Sequence, residues 1–312
     1  MKTLPRWWAA CAAITLLGWP ATEAHAIPRT FVSGGGSGTA CNRAAPCATF
    51  QLAHDATDAN GEINCIDAGD FGPVHITKSI TIDCTGTVGS ISAAASDAIL
   101  VDAPGATVRV RNLTLEGFGA GFVGVDVIGA KAVFVESCVF DSFNNAIQFL
   151  PGDSADTTLF VSDSILRLSA FAGILIGPTP NPNSSPRATI DGVRLEHNGT
   201  GIRVTGMFAS GLSIVHLRNS LARRNVGDGI KVDTAGSKVL SVTADRTSAT
   251  LNGANGVAAS GANAFVVLGR STAVSNGTGI APGGGGAVFS YGNNHLSGNV
   301  TDVNPTATLS LR

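Results

Sequence analysis

Arg203 and Lys231 have the spacing that most directly calls for a partner. Each is the third residue of a G-I-x-V stretch, in N-G-T-G-I-R-V at Asn198 and in N-V-G-D-G-I-K-V at Asn225. They stand 28 residues apart. If the two stretches are equivalent strands of successive coils, the two cations lie about 4.8 Å apart across the ladder. Such a pair needs a counter-charge, from an acidic sugar chain or from Asp228, Asp233 and neighbouring carboxylates. Arg194, Glu196, His197, Arg218, Arg223, Arg224, Asp245 and Arg246 fall on the same three or so repeats. Glu196 and His197 are adjacent at a strand end, where one of them can serve as a base. The candidate ligand-binding set is therefore Arg203, Lys231, Arg224, Arg194, Glu196 and His197.

Other chemistries lack their residues. Hydrolysis of a glycosidic bond needs two carboxyl groups flanking the bond. In β-helix hydrolases these often come as an adjacent D-D pair with a G-H-G, and neither occurs. A calcium-dependent lyase needs clustered acids. The outward row Leu100, Asp126, Gln148, Leu175, Arg203, Lys231 and Ala258 offers one. No C-x-x-C or His-rich spacing suggests a metal, so neither metal nor cofactor is expected. The glycine run Gly34–Gly38 lacks the G-K-[ST] ending of a phosphate-binding loop. A net charge of −2 without a basic run argues against nucleic acid.

The elements that must position these residues form a repeat. A small residue followed by an aliphatic one recurs at Ala98-Ile99, Gly124-Val125, Ala146-Ile147, Gly173-Ile174, Gly201-Ile202, Gly229-Ile230, Gly256-Val257 and Gly279-Ile280. The spacings are 26, 22, 27, 28, 28, 27 and 23 residues. A period of about 25 with short alternating strands predicts three strands of three to five residues per coil, a parallel β-helix. Leucine-rich repeats share the period, but their L-x-x-L-x-L-x-x-N signature is missing. Alternation places Ile202, Val204, Ile230 and Val232 inside and Arg203 and Lys231 outside. Asn198, Asn225, Asn252 and Asn276 recur at one turn, where asparagine tolerates left-handed backbone and can stack as a ladder. Asn112, Asn183, Asn198, Asn276 and Asn299 each also begin an N-x-[ST] pattern. The proline-rich Gly177–Pro186 segment reads as an exposed insertion. A cleft between it and the basic row would favour an enzyme.

The front of the chain differs. Lys2 and Arg6, an apolar run from Trp7 to Trp19 and Ala24-His25-Ala26 form a secretory leader with cleavage after Ala26. No later segment is apolar for long enough to span a bilayer. Cys41 and Cys47 flank a short loop suited to local pairing. Cys65 stacks on Cys84 if Ile63 stacks on Ile82, which suits either a bridge or two buried thiols; Cys138 reads as a small core residue. Ala48–Asp58 has helical character, with Phe50, Leu52, Ala53 and Ala56 on one face, and can cover the open end of the solenoid. The expected domains are a leader at 1–26, a cap at 27–60 and a β-helix at 61–312.

The G-I-x-V strands and N-G-x-G-I turns resemble the pectin-lyase-like right-handed parallel β-helix superfamily. The front, T-F-V-S-G-G-G with C-N-R-A-A-P-C-A-T-F, and the terminal Y-G-N-N-H-L-S-G-N resemble exported bacterial β-helix proteins of no settled role. The resemblance implies an all-β, single-stranded right-handed parallel β-helix behind a short capping helix. Many of that superfamily act on acidic polysaccharides as lyases, hydrolases or epimerases, and others are adhesins. Fold does not choose among these roles. The residues favour an exported, non-catalytic module that binds polysaccharide or cell-surface glycan. The alternative is a lyase-type enzyme acting on acidic polysaccharide with Arg203, Lys231 or Arg224 at its site.

Overall fold

A computed structural model describes residues 27–152, 157–177, 185–206 and 212–310. The leader expected at 1–26 and positions 178–184 of the expected proline-rich insertion lie outside these residues. The chain is a right-handed parallel β-helix in which every paired strand is parallel to its neighbours. On one flank the strands, such as Arg187–Asp191 and Leu212–Arg218, form a 12-stranded sheet, here the first face. Each coil then turns into a three-residue strand of the second face, such as Arg194–Glu196. It turns again into the third face, such as Thr200–Thr205, which carries the G-I-x-V motif. The expectation of three separate short strands fails in two coils. Leu113–Gly129 and Val139–Phe149 run unbroken around the second corner, so the second and third faces share one 16-stranded sheet.

The corners are made by single residues in left-handed conformation. Asp163, Gly192, Asn219 and Arg246 make the first corner, and Leu168, His197, Arg224 and Leu251 the second, all with φ between 48° and 67°. One such residue reverses the pleat and redirects the chain at minimal length, at a cost of about 1–2 kcal/mol for a non-glycine.

Inside, side chains stack coil upon coil. Ile202, Val204, Ile230 and Val232 are all buried, and they align with Ile174, Ile176, Val257 and Ala259. Leu195, Ala222, Ala249 and Ala273 stack likewise behind the second face. Cys138 is buried, and burial pushes its thiol up to about 12.

Just past the second corner the asparagines form a buried ladder. The Asn198 backbone N–H donates to Asn225 Oδ1 at 3.0 Å, Asn225 N–H to Asn252 Oδ1 at 3.1 Å, and Asn252 N–H to Asn276 Oδ1 at 3.0 Å. Each amide also donates backwards, Asn225 Nδ2 to Leu195 O and Asn252 Nδ2 to Ala222 O. This burial puts Asn198 and Asn276 out of reach of glycosylation. It also explains the glycine of the G-I mark. A Cβ at Gly229 or Gly256 would come within 2.7 Å of the ladder amide of the next coil.

The helix Phe50–Ala56 packs at the N-terminal end, with Thr49 capping it by accepting from Leu52 N–H at 3.2 Å. Phe50 and Ala53 are buried, and Phe50 meets Phe71 edge-on at 5.0 Å. Leu52 is a correction to the expected face: it is 45% exposed, and His54 is buried in its place. At 3.6 residues per turn the face through Phe50 and Ala53 continues to His54 and Thr57, not to Leu52. Cys41–Cys47 and Cys65–Cys84 are disulfide-bonded, the second pair in the register Ile63 on Ile82. No helix among the described residues is long and apolar enough to cross a membrane.

Candidate functional site

The third face carries one continuous outward row. Strand register aligns His75, Leu100, Asp126, Gln148, Leu175, Arg203, Lys231, Ala258 and Ala281, one residue per coil. From Arg203 to Ala281 each strand enters the face from a ladder turn, at Asn198, Asn225, Asn252 and Asn276, which holds this part of the row in register. Arg203 and Lys231 are therefore cross-strand neighbours.

Their repulsion is answered within the face. Arg203 Nε and Nη2 donate to the two oxygens of Asp233 at 2.9 and 2.8 Å, a bidentate pair. That carboxylate holds the guanidinium above its ordinary value. Lys231 Nζ lies 3.8 Å from Asp228, a looser contact. Asp228 in turn accepts from Asn255 Nδ2 at 2.6 Å.

The other sequence candidates lie elsewhere. Arg194 and Glu196 sit on the second face and pair with each other at 2.8 Å. His197 and Arg224 are exposed corner residues, at φ 57° and 53°. Arg218 and Asp245 belong to the first face. The run of charges that looks like one patch in sequence is thus divided among three faces. Within the candidate set the fold brings Arg203 and Lys231 side by side on the third face, and Arg194 and Glu196 on the second.

Beside them lies a cleft of about 390 Å³, lined by Asn145, Ala172, Leu175, Thr200, Arg203 and the Phe171 ring. It opens at the corner end of the strand Ala172–Ile176, not at its Gly177 end. Phe171 is 67% exposed. Asn145 Nδ2 donates to Gln148 Oε1 at 3.1 Å, and Gln148 Nε2 donates to Asp126 Oδ1 at 3.1 Å. Asn145 Oδ1 is buried without a donor from the described residues. Burial pushes Asp126 up to about 6, with the Asp97 carboxylate adding to the rise and Gln148 opposing it. Asp97 is raised as well, by burial, although it accepts from Val123 N–H at 3.0 Å.

Chemically, the cleft offers an aromatic face, a hydroxyl and a positioned guanidinium. It does not bring an acid and a cation to one bond. Asp126 and Arg203 are three coils apart on the row, about 14 Å at the strand spacing. A base must come within hydrogen-bond reach of its proton. Among the described residues, no three His, Cys, Asp or Glu side chains gather as a metal site.

Sequence reasoning placed Asp126 and Gln148 on the row but not Asn145 or Phe171 in the site. Both precede the G-I-type strands, in corner segments whose lengths differ between coils. The one signal available was Phe171 itself, an aromatic directly before A-G-I-L-I.

No protein-family model matches the sequence, and no curated protein is significantly similar to it. Among solved structures, the chain is similar to the pectate lyase Pel9A, with a TM-score of 0.64 and 19% identity over 90% of this chain and 78% of that one. It is also similar to the A-module of the mannuronan C-5 epimerase AlgE4 of Azotobacter vinelandii, with a TM-score of 0.48 and 14% identity over 81% and 91% of the two chains. In fold, then, this chain is a right-handed parallel β-helix of the pectate-lyase kind.

Proposed function

We propose that this protein is an exported glycan-binding β-helix whose third face holds the sugar chain. The observation that carries the reading is the cleft at Phe171, Asn145 and Arg203. An exposed ring gives a sugar its apolar platform, and the Thr200 hydroxyl in the same lining suits a sugar hydroxyl. Arg203, fixed by Asp233, offers its remaining N–H groups to a hydroxyl or a carboxylate. Lys231, more loosely tethered, is the cation available to an acidic glycan. Export is supported by the leader sequence and by two disulfides, which persist in oxidising compartments. The shared fold with a pectate lyase makes a polysaccharide a reasonable partner.

The test is retention of the chain in gels containing alginate, polygalacturonate, xylan or cellulose derivatives, with ultraviolet absorbance followed for unsaturated products. The expected result is retention by at least one glycan, weakened about fivefold or more in Phe171→Ala and Arg203→Ala, with flat absorbance. No retention on any glycan would sink the reading. A second reading, a lyase acting on an acidic polysaccharide, is favoured by Asp126, a half-buried carboxyl pushed up to about 6 on the same row. Rising absorbance that disappears in Asp126→Asn, Arg203→Ala or Lys231→Ala would establish that reading instead.

A further inference from the structure

The first face has its own trough, formed by residues that the third face does not use. Phe160, Thr189, His216, Thr243 and Val267 make one outward row there, again one residue per coil. Beside it runs a charged row that closes on itself. Arg218 pairs with Asp191 at 3.0 Å and Arg270 with Asp245 at 2.5 Å. Two clefts, of about 240 and 470 Å³, adjoin at Thr243 and Asp245. The smaller holds His216 and the larger reaches Tyr291. Gly269 keeps the larger one open, since a Cβ there would lie 3.3 Å from the Tyr291 ring and 3.4 Å from Asp245 Oδ1.

The ends of the trough are aromatic. Phe160 stacks on Phe134 at 4.6 Å, with the rings nearly parallel, and Phe289 lies against Phe265 at 6.4 Å beyond Val267. Between them, the side chains of Thr189, His216 and Thr243 find no hydrogen-bond partner among the described residues, and the His216 ring is exposed.

We infer that this trough is a second saccharide-binding site, taking an uncharged oligosaccharide laid along the helix axis. Three unpaired polar groups, one per coil at about 4.8 Å intervals, suit a chain that presents hydroxyls at many positions. Rings at the ends suit the apolar faces of sugar residues. Asp191 pairs with Arg218, and Asp245 with both Arg246 and Arg270, so most of the arginine charge is met within the face and little is left to select an acidic ligand. The site is separate from the third-face cleft and stands or falls independently of it.

Tyr291 is the only tyrosine in the chain and lines the larger cleft, so one fluorotyrosine label gives a single reporter. The full chain labelled in this way would be titrated with cellohexaose, xylohexaose, mannohexaose and hexagalacturonate, following the fluorine resonance. The expected result is a saturable shift with at least one neutral hexasaccharide and none with hexagalacturonate. His216→Ala and Thr243→Lys should each weaken the response about fivefold or more, and Phe171→Ala on the third face should leave it unchanged. The inference is overturned if no neutral hexasaccharide moves the resonance or if only hexagalacturonate does. It is equally overturned if His216→Ala and Thr243→Lys bind like the parent, or if Phe171→Ala weakens the response as they do. A melting curve for each variant separates lost binding from lost folding.

Discussion

The first and third faces are built on the same ladder of parallel strands, with aliphatic side chains stacked behind both. They differ in what each outward row does with its polar groups. On the third face, polar groups are drawn into the structure: Asp233 grips Arg203, Gln148 bridges Asn145 to Asp126, and one amide oxygen is left over. On the first face the charges close on each other and the row between the rings keeps three polar side chains unpaired. The comparison teaches that inward rows make a coil and outward rows make a surface. Each can change without the other, because successive residues point to opposite sides of the sheet.

Breaking what the faces share should have the largest effect. Asn225→Ala removes the acceptor of the Asn198 N–H and the donor to Leu195 O, both buried. It should cost about 3–5 kcal/mol in urea unfolding, since two buried groups lose their partners at about 1–3 kcal/mol each. Ligand binding on both faces should fall together near the unfolding transition.

Asp126 separates the faces by pH. Its folded-state value, about 6, lies above the ordinary 3.8, so its contribution to stability is fully present below pH 3.8 and is lost as the pH rises through 6. Asp126→Asn should therefore match the parent near pH 3.5 and exceed it at pH 7.5. Two pKa units set an upper limit of about 3 kcal/mol, and partial exposure brings the expected gain to about 1–2 kcal/mol. Melting temperatures across this range decide the point. His54 in the cap has the opposite sign. Burial lowers it from 6.5, so its contribution is present above pH 6.5 and is lost as the pH falls. His54→Gln should flatten the acid side of the same curve.

The corners give a smaller effect. Arg224 holds φ 53° without a glycine's freedom, and Arg224→Gly should stabilise the chain by about 0.5–1 kcal/mol. If Arg224 contacts ligand, the same change would weaken glycan retention, so one variant tests both roles. The expected effect of Arg203→Ala on stability is of similar size and opposite sign, a loss of about 0.5–1 kcal/mol for a half-exposed pair, with weaker glycan retention as its main consequence.

The row from Leu100 to Ala258 was legible in the sequence because the G-I mark fixes both register and side. The asparagine ladder was legible because a buried amide can recur at one turn only if every coil needs it there. Leu52 was misplaced because a seven-residue helix gives too few turns to show which face is buried. Arg224 gave no sign of being a corner, since arginine has no preference for left-handed backbone, and His197, a residue type enriched there, was read instead as a base beside Glu196. Phe171 and Asn145 were missed because they lie where coil length varies, so counting from the mark does not bring them together. The first-face row was hidden for a related reason: its distance from the mark varies, with Phe160 13 residues after Ile147, Thr189 15 after Ile174 and His216 14 after Ile202.

Hydrogen–deuterium exchange of the full chain, with and without the glycan that retains it best, tests the central claim most directly. The account predicts slowed exchange in Ala172–Ile176 and Thr200–Thr205 and in the Phe171 corner between them, with the second-face strands Arg194–Glu196 and Leu221–Arg223 unchanged. Slowed exchange confined to those second-face strands, or no change anywhere on the third face, would contradict it.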